Sequence, residues 1–424
     1  MEDDRVDAGA IPKALQASVK RFGGMRRRVR LTLTSGSTSS GANDILRIRL
    51  PTNSLVDLRT FGFNADLSCN AVSFVGGTHT LVRRVGLVAG GVNINFQNNY
   101  WNQTAHAMNV AGQGLEWDRS NVLAGCNPDD AQFATNGDFV EFNYWPLSPM
   151  TAGIIDTGLI GECEVDLVFD SAAALITKEG EAVTGSFTLS SIRAYVDVID
   201  LESDFYRKFA SAALGRGKTM VKMMELATCV IQASTGSNNF NVSTGCLDKI
   251  LVAPKASAWA TAQAQAAGEV YDRYLDFNCG VAYGSVDDNY SAYVQIGSTS
   301  FPAYGFGRKF PDLASITRNN WAGSSYNYNK LFLQTDGSGS TVGTASLVYT
   351  PAAYNRHNAI VLIPVGAFDE HGKQGGIDLS SGNSVIRVET TGANLINGNS
   401  QLLMAGIHKS LLQVQSGQVV SYTN

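Results

Sequence analysis

Apolar and polar residues alternate along much of the chain from residue 28 onward, with the two-residue period of half-buried β-strands. In the first half the alternation is clearest in residues 45–51 (ILRIRLP), 54–63 (SLVDLRTFGF) and 186–200 (SFTLSSIRAYVDVID). Residues 80–96 (TLVRRVGLVAGGVNINF) predict two strands joined at Gly90–Gly91, a dipeptide typical of hairpin turns. The first half is therefore predicted to form a sandwich of antiparallel strands.

The second half continues in strands after a segment with a helical period. Residues 201–214 (LESDFYRKFASAAL) begin with acids and carry apolar residues at Phe205, Phe209 and Leu214, which predicts a helix. Residues 312–321 predict a second helical segment. About eight strands, a helix and about eight more strands fit two eight-stranded sandwiches of roughly 180 to 200 residues each. The later strands are predicted in residues 238–245, 249–256, 291–305, 330–337, 359–368, 384–392 and 410–422.

A different pattern precedes residue 28. Ile11, Leu15, Val19 and Phe22 recur at helical spacing, and glycines follow at 23 and 24, so a short amphipathic helix is predicted on an N-terminal arm. Such a helix suits a position on a membrane or beneath a protein shell.

The arm is basic although the whole chain has a net charge of −5. The first thirty residues hold eight Lys or Arg and four acids, a net of +4, so the remainder carries −9 because +4 − 9 = −5. A basic arm on an acidic body indicates contact with nucleic acid or anionic lipid headgroups. The alternatives are an arm that is only solvated, or one that pairs with acids of a neighbouring subunit. The candidate contact residues are Lys13, Lys20, Arg21, Arg26, Arg27 and Arg28.

Charged residues make up 16 % of the chain, against a usual share of about 25 %. Such a composition suits large surfaces that meet other copies of the chain rather than water. The N-terminus does not resemble a signal peptide, and no apolar run reaches the roughly 18 residues of a membrane-spanning helix. We therefore expect the chain to be made and assembled in a cytosol-like compartment.

No arrangement of residues in the sequence predicts an active site, a metal site or a cofactor. The six cysteines, scattered from 69 to 279, are expected to be buried reduced thiols, and the five histidines are dispersed. The segment GRGKT, residues 215–219, resembles the end of a phosphate-binding loop. Ala212 stands where that loop needs its first glycine, and the segment follows a predicted helix instead of a strand, so a nucleotide site is not expected.

Several phrases in the sequence resemble double jelly-roll major capsid proteins of the adenovirus-type lineage of icosahedral viruses. The resemblance covers nearly the whole chain from about residue 28. It depends on the order and spacing of these phrases more than on any single phrase. The phrases lie at residues 54–68 (SLVDLRTFGFNADLS), 79–94 (HTLVRRVGLVAGGVNI), 186–201 (SFTLSSIRAYVDVIDL), 291–317 (SAYVQIGSTSFPAYGFGRKFPDLASIT), 375–392 (GGIDLSSGNSVIRVETTG) and 410–422 (SLLQVQSGQVVSY).

This resemblance implies an all-β fold of two eight-stranded antiparallel jelly rolls side by side, with a short N-terminal helix and a few loop helices. The implied division is an arm at residues 1–27, a first roll at 28–214 and a second roll at 215–424. The resemblance also implies a structural protein and not an enzyme. Three copies would form a block, and the blocks, with penton and minor capsid proteins, would tile the icosahedral shell of a virion. The arm would face inward, toward the genome or an internal membrane.

Residues 97–160 read as long loops rich in Asn, Gly and Trp. Aromatic residues are enriched at protein interfaces, so Trp101, Trp117, Tyr144 and Trp145 are candidate contacts between subunits. The alternative is that these rings fill the core of their own roll.

Two other kinds of protein remain open from the residues alone. One is a single jelly roll with a projecting β domain, as in small RNA-virus shells, whose Arg-rich arm binds RNA. It differs in whether residues 220–424 form a full eight-stranded roll. The other is a carbohydrate-binding or hydrolytic β-sandwich protein, with aromatic loops at 97–145 and 321–328 as stacking platforms.

Overall fold

In the computed structural model the chain folds into two antiparallel β-sandwiches, which follow one another along the sequence. The structure describes residues 24–34, 40–69, 73–74, 81–94, 99–104, 107, 139–143, 154–171, 175–176, 187–201, 208, 219–232, 236–256, 291–303, 360–368, 374–380, 385–391, 400–415 and 418–423. The predicted arm helix, most of the helix predicted at 201–214 and all of the one at 312–321 lie outside these residues.

Helix α1 of the first sandwich spans Thr157–Ile160. The strands of this sandwich are β1 (Gly24–Arg30), β2 (Thr32–Leu33), β3 (Ser40–Gly41), β4 (Ile45–Arg49), β5 (Leu55–Cys69), β6 (Ser73–Phe74), β7 (Val82–Ala89), β8 (Val92–Ile94), β9 (Phe139–Asn143), β10 (Ile154–Asp156), β11 (Cys163–Phe169), β12 (Leu175–Ile176) and β13 (Phe187–Leu201).

The second sandwich begins at Thr219, eighteen positions after the last residue of β13. Its strands are β14 (Thr219–Gln232), β15 (Gly236–Asn241), β16 (Leu247–Ala256), β17 (Ser291–Ile296), β18 (Thr299–Phe301), β19 (Val361–Pro364), β20 (Ala367–Phe368), β21 (Gln374–Gly375), β22 (Val385–Thr391), β23 (Ser400–Gln415) and β24 (Gln418–Thr423).

Both sandwiches have the same strand order. Sheet I of the first runs β1-β13-β5-β10, and sheet II runs β4-β11-β7-β8 with β2 beside β4. Sheet III of the second runs β14-β23-β16-β19, and sheet IV runs β15-β22-β17-β18. Counting the eight main strands of each sandwich in chain order, the two sheets are first-eighth-third-sixth and second-seventh-fourth-fifth. This is a jelly-roll arrangement, and it confirms the predicted fold of two eight-stranded rolls.

Each roll turns between its fourth and fifth strands through a two-residue hairpin. Gly90 and Gly91, between β7 and β8, have φ angles of +56° and +85°. Two successive positive φ angles match the twist of a type I′ turn, which favours glycine at both positions. The predicted hairpin at this dipeptide is confirmed, and Gly297 with φ +60° begins the corresponding turn between β17 and β18.

Alternation along the strands builds the interior of the first roll. In β4 the apolar residues Leu46 and Ile48 are buried while Arg47 and Arg49 are exposed. Phe169 of sheet II lies edge-on to Phe63 and Phe187 of sheet I, with ring centroids 6.2 and 6.4 Å away. Three buried aromatic rings thus connect the two sheets across the core.

We expect Phe169→Ala to lower the free energy of unfolding by about 3 to 5 kcal/mol, because it leaves a cavity between the two sheets. Ile45→Ala is the matched control in the neighbouring strand, since Ile45 is 50 % exposed and its truncation should cost about 1 kcal/mol or less. Urea unfolding of both variants measures the difference. Equal effects of the two substitutions would contradict the proposed packing.

Candidate functional site

The arginines predicted to belong to the arm lie in the first strand of sheet I. β1 begins at Gly24, four positions before the predicted first strand, and pairs with β13 in register from Gly24 opposite Leu201 to Arg30 opposite Tyr195. Arg26, Arg27 and Arg28 are therefore part of the first roll's sheet. Lys13, Lys20 and Arg21 lie outside the described residues.

Each of these three arginines has an acid of the same chain as its partner. Arg26 Nη2 donates to Asp57 Oδ2 at 2.8 Å, and Arg28 Nε donates to Asp197 Oδ1 at 3.0 Å. Arg27 pairs with Asp200, and the hydrogen bond to this carboxylate raises the pKa of Arg27. The positive charge of the triplet is thus compensated within the roll.

The two sides of this ion-pair cluster differ in burial. Asp57 is 1 % exposed and Asp197 is also buried, whereas the guanidinium groups of Arg26 and Arg28 lie at the surface. The Arg28 guanidinium carbon also lies 4.6 Å from the centre of the Tyr195 ring, a cation–π distance. A buried carboxylate without its partner is costly, so Arg26 stabilises the roll more than an exposed ion pair does.

β1 is the edge strand of sheet I and contributes little to the core. Val29 packs against the interior, while Met25 and the arginines are exposed. Charged side chains on an edge strand discourage pairing with stray strands. The strand is therefore held by its ladder with β13 and by ion pairs, with little apolar burial.

One predicted contact aromatic falls in the described part of the chain, and it is internal. Trp101 is 0 % exposed and belongs to the core cluster of the first roll. Because the Trp101 ring has no exposed surface in the single chain, it cannot contact a neighbouring subunit directly. The structure therefore places Trp101 in the core of its own roll. Trp117, Tyr144 and Trp145 lie outside the described residues.

Sheet III is buried on both faces. In its central strands Leu251 lies opposite Ala405, and Ala253 opposite Leu403, so these four side chains share one face, and they belong to the same buried cluster as the interior of the first roll. The other face carries residues of the second roll's own core. Those residues are Ile250, Val252, Val361, Ile363, Leu402 and Met404.

The first roll reaches sheet III from the side where its edge strands β8 and β10 lie. The backbone N–H of Tyr100, in the segment that follows β8, donates to Thr228 Oγ1 of β14 at 3.1 Å. Tyr100 and Val230 pack against the shared cluster, and α1, which follows β10, contacts β24. The contact between the rolls therefore joins the side of one sandwich to the sheet face of the other.

Two lysines lie on the same face of sheet III as this contact. Lys249 and Lys255 alternate in β16 with Leu251 and Ala253, and both are buried, Lys255 completely. Burial lowers the pKa of Lys249, and the neighbouring carboxylate of Asp248 opposes that shift. The face between the rolls thus combines an apolar centre with two enclosed amines.

A buried histidine lies on the opposite face of sheet III. His408 of β23 pairs with Leu247 of β16 and with Glu225 of β14. Its side chain is almost fully buried, Nδ1 has no hydrogen-bond partner, and desolvation lowers the pKa to about 4.

The described residues contain no group of three or more His, Cys, Asp or Glu that could hold a metal ion. Cys163, Cys229 and Cys246 are free thiols, and burial raises the pKa of Cys163 and Cys229 to about 12. Thr219, the end of the GRGKT segment, is the first residue of β14. A phosphate-binding loop leads into a helix at this position, so the strand argues against a nucleotide site. In the same part of the chain no helix is long and apolar enough to span a membrane.

No family model matches the sequence, and no curated protein matches it significantly. Solved structures do match. VP54 of PBCV-1, whose crystal structure was fitted into a cryo-EM reconstruction of the virophage Sputnik, aligns at TM-score 0.56 and 12 % identity over 94 % of this chain and 97 % of that chain. The Faustovirus major capsid protein aligns at TM-score 0.56 and 9 % identity over 93 % and 91 % of the two chains.

A chain from the cryo-EM structure of the Sputnik virophage aligns at TM-score 0.54 and 10 % identity over 97 % of this chain and 89 % of that chain. Identities this low show a shared fold. Together with the strand order of the two rolls, these matches confirm the fold implied by the sequence resemblance: this chain has the double jelly-roll fold of viral major capsid proteins.

Removal of residues 1–23 should leave the melting temperature unchanged, because β1 and its ion pairs remain. Removal of residues 1–27 should lower stability by at least about 2 kcal/mol, because it removes four residues of β1 and leaves Asp57 buried without Arg26. Thermal and urea unfolding measure both truncations.

A matched pair of substitutions compares the ion pair to a buried carboxylate with the ion pair to a half-exposed one, while the backbone pairing of β1 with β13 stays in place. Arg26→Ala removes one partner of the buried Asp57 carboxylate and should cost about 2 kcal/mol, whereas Arg27→Ala removes a partner of the half-exposed Asp200 and should change stability less. A larger loss for Arg27→Ala than for Arg26→Ala would contradict this assignment.

The unfolding free energy should fall by up to about 3 kcal/mol between pH 6.5 and pH 4 because of His408. The folded state lowers this pKa, so the stabilisation is complete above the unfolded value of 6.5 and is lost as the pH falls toward 4. His408→Leu should remove that part of the pH dependence. If wild type and variant differ by the same free energy at pH 7 and pH 4.5, His408 does not titrate in this way.

Proposed function

We propose that the chain is the major capsid protein of an icosahedral virus, a structural subunit that assembles into the shell of the virion. The observation that carries this proposal is the fold match over nearly the full length of both chains, with two complete jelly rolls in one polypeptide. The Faustovirus chain among these matches is itself a major capsid protein. Nothing in the site chemistry of the described residues asks for an enzymatic role.

The contact between the rolls supports a task as a building block. A shell subunit must keep its shape while neighbouring subunits contact it on opposite sides. Sheet III supplies side chains to the core of its own roll and to the cluster of the first roll, so the two sandwiches hold one relative orientation. A packed interior resists deformation, which suits a tile better than a protein that opens around a ligand.

For partners, we propose a homotrimer, then neighbouring trimers with penton and minor capsid proteins. An inward-facing arm would contact the genome or an internal membrane. Because Arg26, Arg27 and Arg28 are paired within sheet I, that contact falls to Lys13, Lys20 and Arg21, which precede β1. The low share of charged residues supports extensive contact between copies.

The single jelly roll with a projecting domain is excluded by the second sandwich. Residues 219–423 contain a complete eight-stranded roll with the same strand order as the first. The carbohydrate-binding alternative loses Trp101 as a stacking platform, because that ring is buried. A glycan-array screen of the purified protein tests what remains of that alternative.

Purified protein should sediment as a trimer and form hexagonally packed sheets or closed shells at high concentration. Sedimentation velocity gives the oligomeric state, and negative-stain electron microscopy gives the lattice. Sedimentation should be repeated from low to high salt, since contacts between charged surfaces weaken with ionic strength. A folded monomer with no self-association under any of these conditions would exclude the capsid function.

A further inference from the structure

A helical turn at residues 101–104 is held to both rolls by hydrogen bonds at its ends. On the side of the second roll, the backbone N–H of Tyr100 donates to Thr228 Oγ1 of sheet III at 3.1 Å. On the side of the first roll, Asn102 Nδ2 donates at 2.6 Å to Oδ2 of Asp170, the residue that follows β11. The turn therefore lies where the contact between the rolls begins.

This turn is buried although most of its residues are polar. Trp101, Asn102, Gln103 and Thr104 each have 0 % exposed surface. The Asn102 amide has partners within the chain, because Nδ2 donates to Asp170 and Oδ1 accepts from the backbone N–H of Gln103 at 2.9 Å. A buried polar group needs such partners, since its transfer out of water without them is costly.

The side chains of Gln103 and Thr104 differ from Asn102 in this respect. Within the part of the chain that the structure describes, Gln103 Nε2, Gln103 Oε1 and Thr104 Oγ1 have no hydrogen-bond partner. The nearby carboxylate of Asp170 is already engaged, because Oδ2 accepts from Asn102 and Oδ1 accepts from the backbone N–H of Ser171 at 2.7 Å. An amide with both donors and an acceptor, and a hydroxyl that can do either, are thus enclosed next to each other.

We propose that Gln103 and Thr104 bind internal water in an enclosed polar site beside the contact between the rolls. Water suits this site because it both donates and accepts hydrogen bonds, whereas a metal ion would meet the N–H groups of Gln103 and an anion would meet its carbonyl oxygen. Internal waters typically make about three hydrogen bonds to buried polar groups and are costly to remove. Bound water would thereby hold in place the turn that carries the Tyr100 contact with sheet III. This role does not depend on the capsid function.

A crystal structure of the full chain, at a resolution that shows ordered water, tests the site directly. Water should lie about 2.7 to 3.2 Å from the Gln103 amide and from Thr104 Oγ1. The proposal is overturned if these atoms contact only protein atoms or an empty space. It is also overturned by a metal ion, which would lie about 2.0 to 2.6 Å from the two side-chain oxygens.

The variants Gln103→Leu and Thr104→Val test the site by the sign of their effect on stability. Each removes polar atoms with little change in volume, so bound water loses a partner and the melting temperature should fall by about 2 to 4 °C. Thr188→Val is the matched control, because Thr188 is an exposed strand residue of the same roll, and its melting temperature should stay close to wild type.

Without bound water the same substitutions would have the opposite effect. An apolar side chain would then remove the cost of burying an unpaired polar group, and the melting temperature would rise. A rise in both variants therefore overturns the proposal. If either variant does not fold, the crystal structure of the wild-type chain decides the assignment.

Discussion

The burial of sheet III on both faces is the constraint on which the rest of the molecule depends. Within one roll a sheet needs only one apolar face, and its other face can meet water. Here Leu251, Ala253, Leu403 and Ala405 point toward the first roll, while Ile250, Val252 and Met404 point into the second. The second roll cannot complete its own sheet without creating an apolar surface that the first roll must cover. Two domains are thereby converted into one block.

The prediction from sequence was most accurate where one face of a strand meets water. The alternation of ILRIR in β4 matches its exposure residue by residue, and Gly90–Gly91 forms the predicted hairpin. Sheet III left a different signal. The runs KILVA, IVLIP and LLMAGI are apolar without alternation, as expected of strands covered on both sides. The first two runs lie in predicted strands, whereas LLMAGI, residues 402–407, precedes the strand predicted at 410–422 and belongs to β23 in the structure. The lack of alternation in all three runs reflects the contact between the rolls.

The candidate site was harder to predict because charge and aromaticity do not specify location. The triplet Arg26–Arg28 has the composition of a nucleic-acid arm, yet its partners Asp57, Asp197 and Asp200 are distant in sequence and meet it only through sheet pairing. Trp101 stands in a segment that reads as loop, and only the packed structure shows it inside. His408 and Lys255 gave no local pattern, since their burial results from what covers sheet III. In each case the location of the residue depends on contacts with residues that are distant in sequence, which a local pattern does not contain.

The strand order has a consequence for how the chain matures during synthesis. In each roll the eighth strand lies between the first and the third, so β13 and β23 close their sheets last although they are central. The first roll can close once Leu201 has left the ribosome. Sheet III cannot form before residues 400–415 have left the ribosome, because β23 is the strand that pairs with both β14 and β16. A chain interrupted before that point lacks the central strand of sheet III, so only a nearly complete polypeptide can form the second roll.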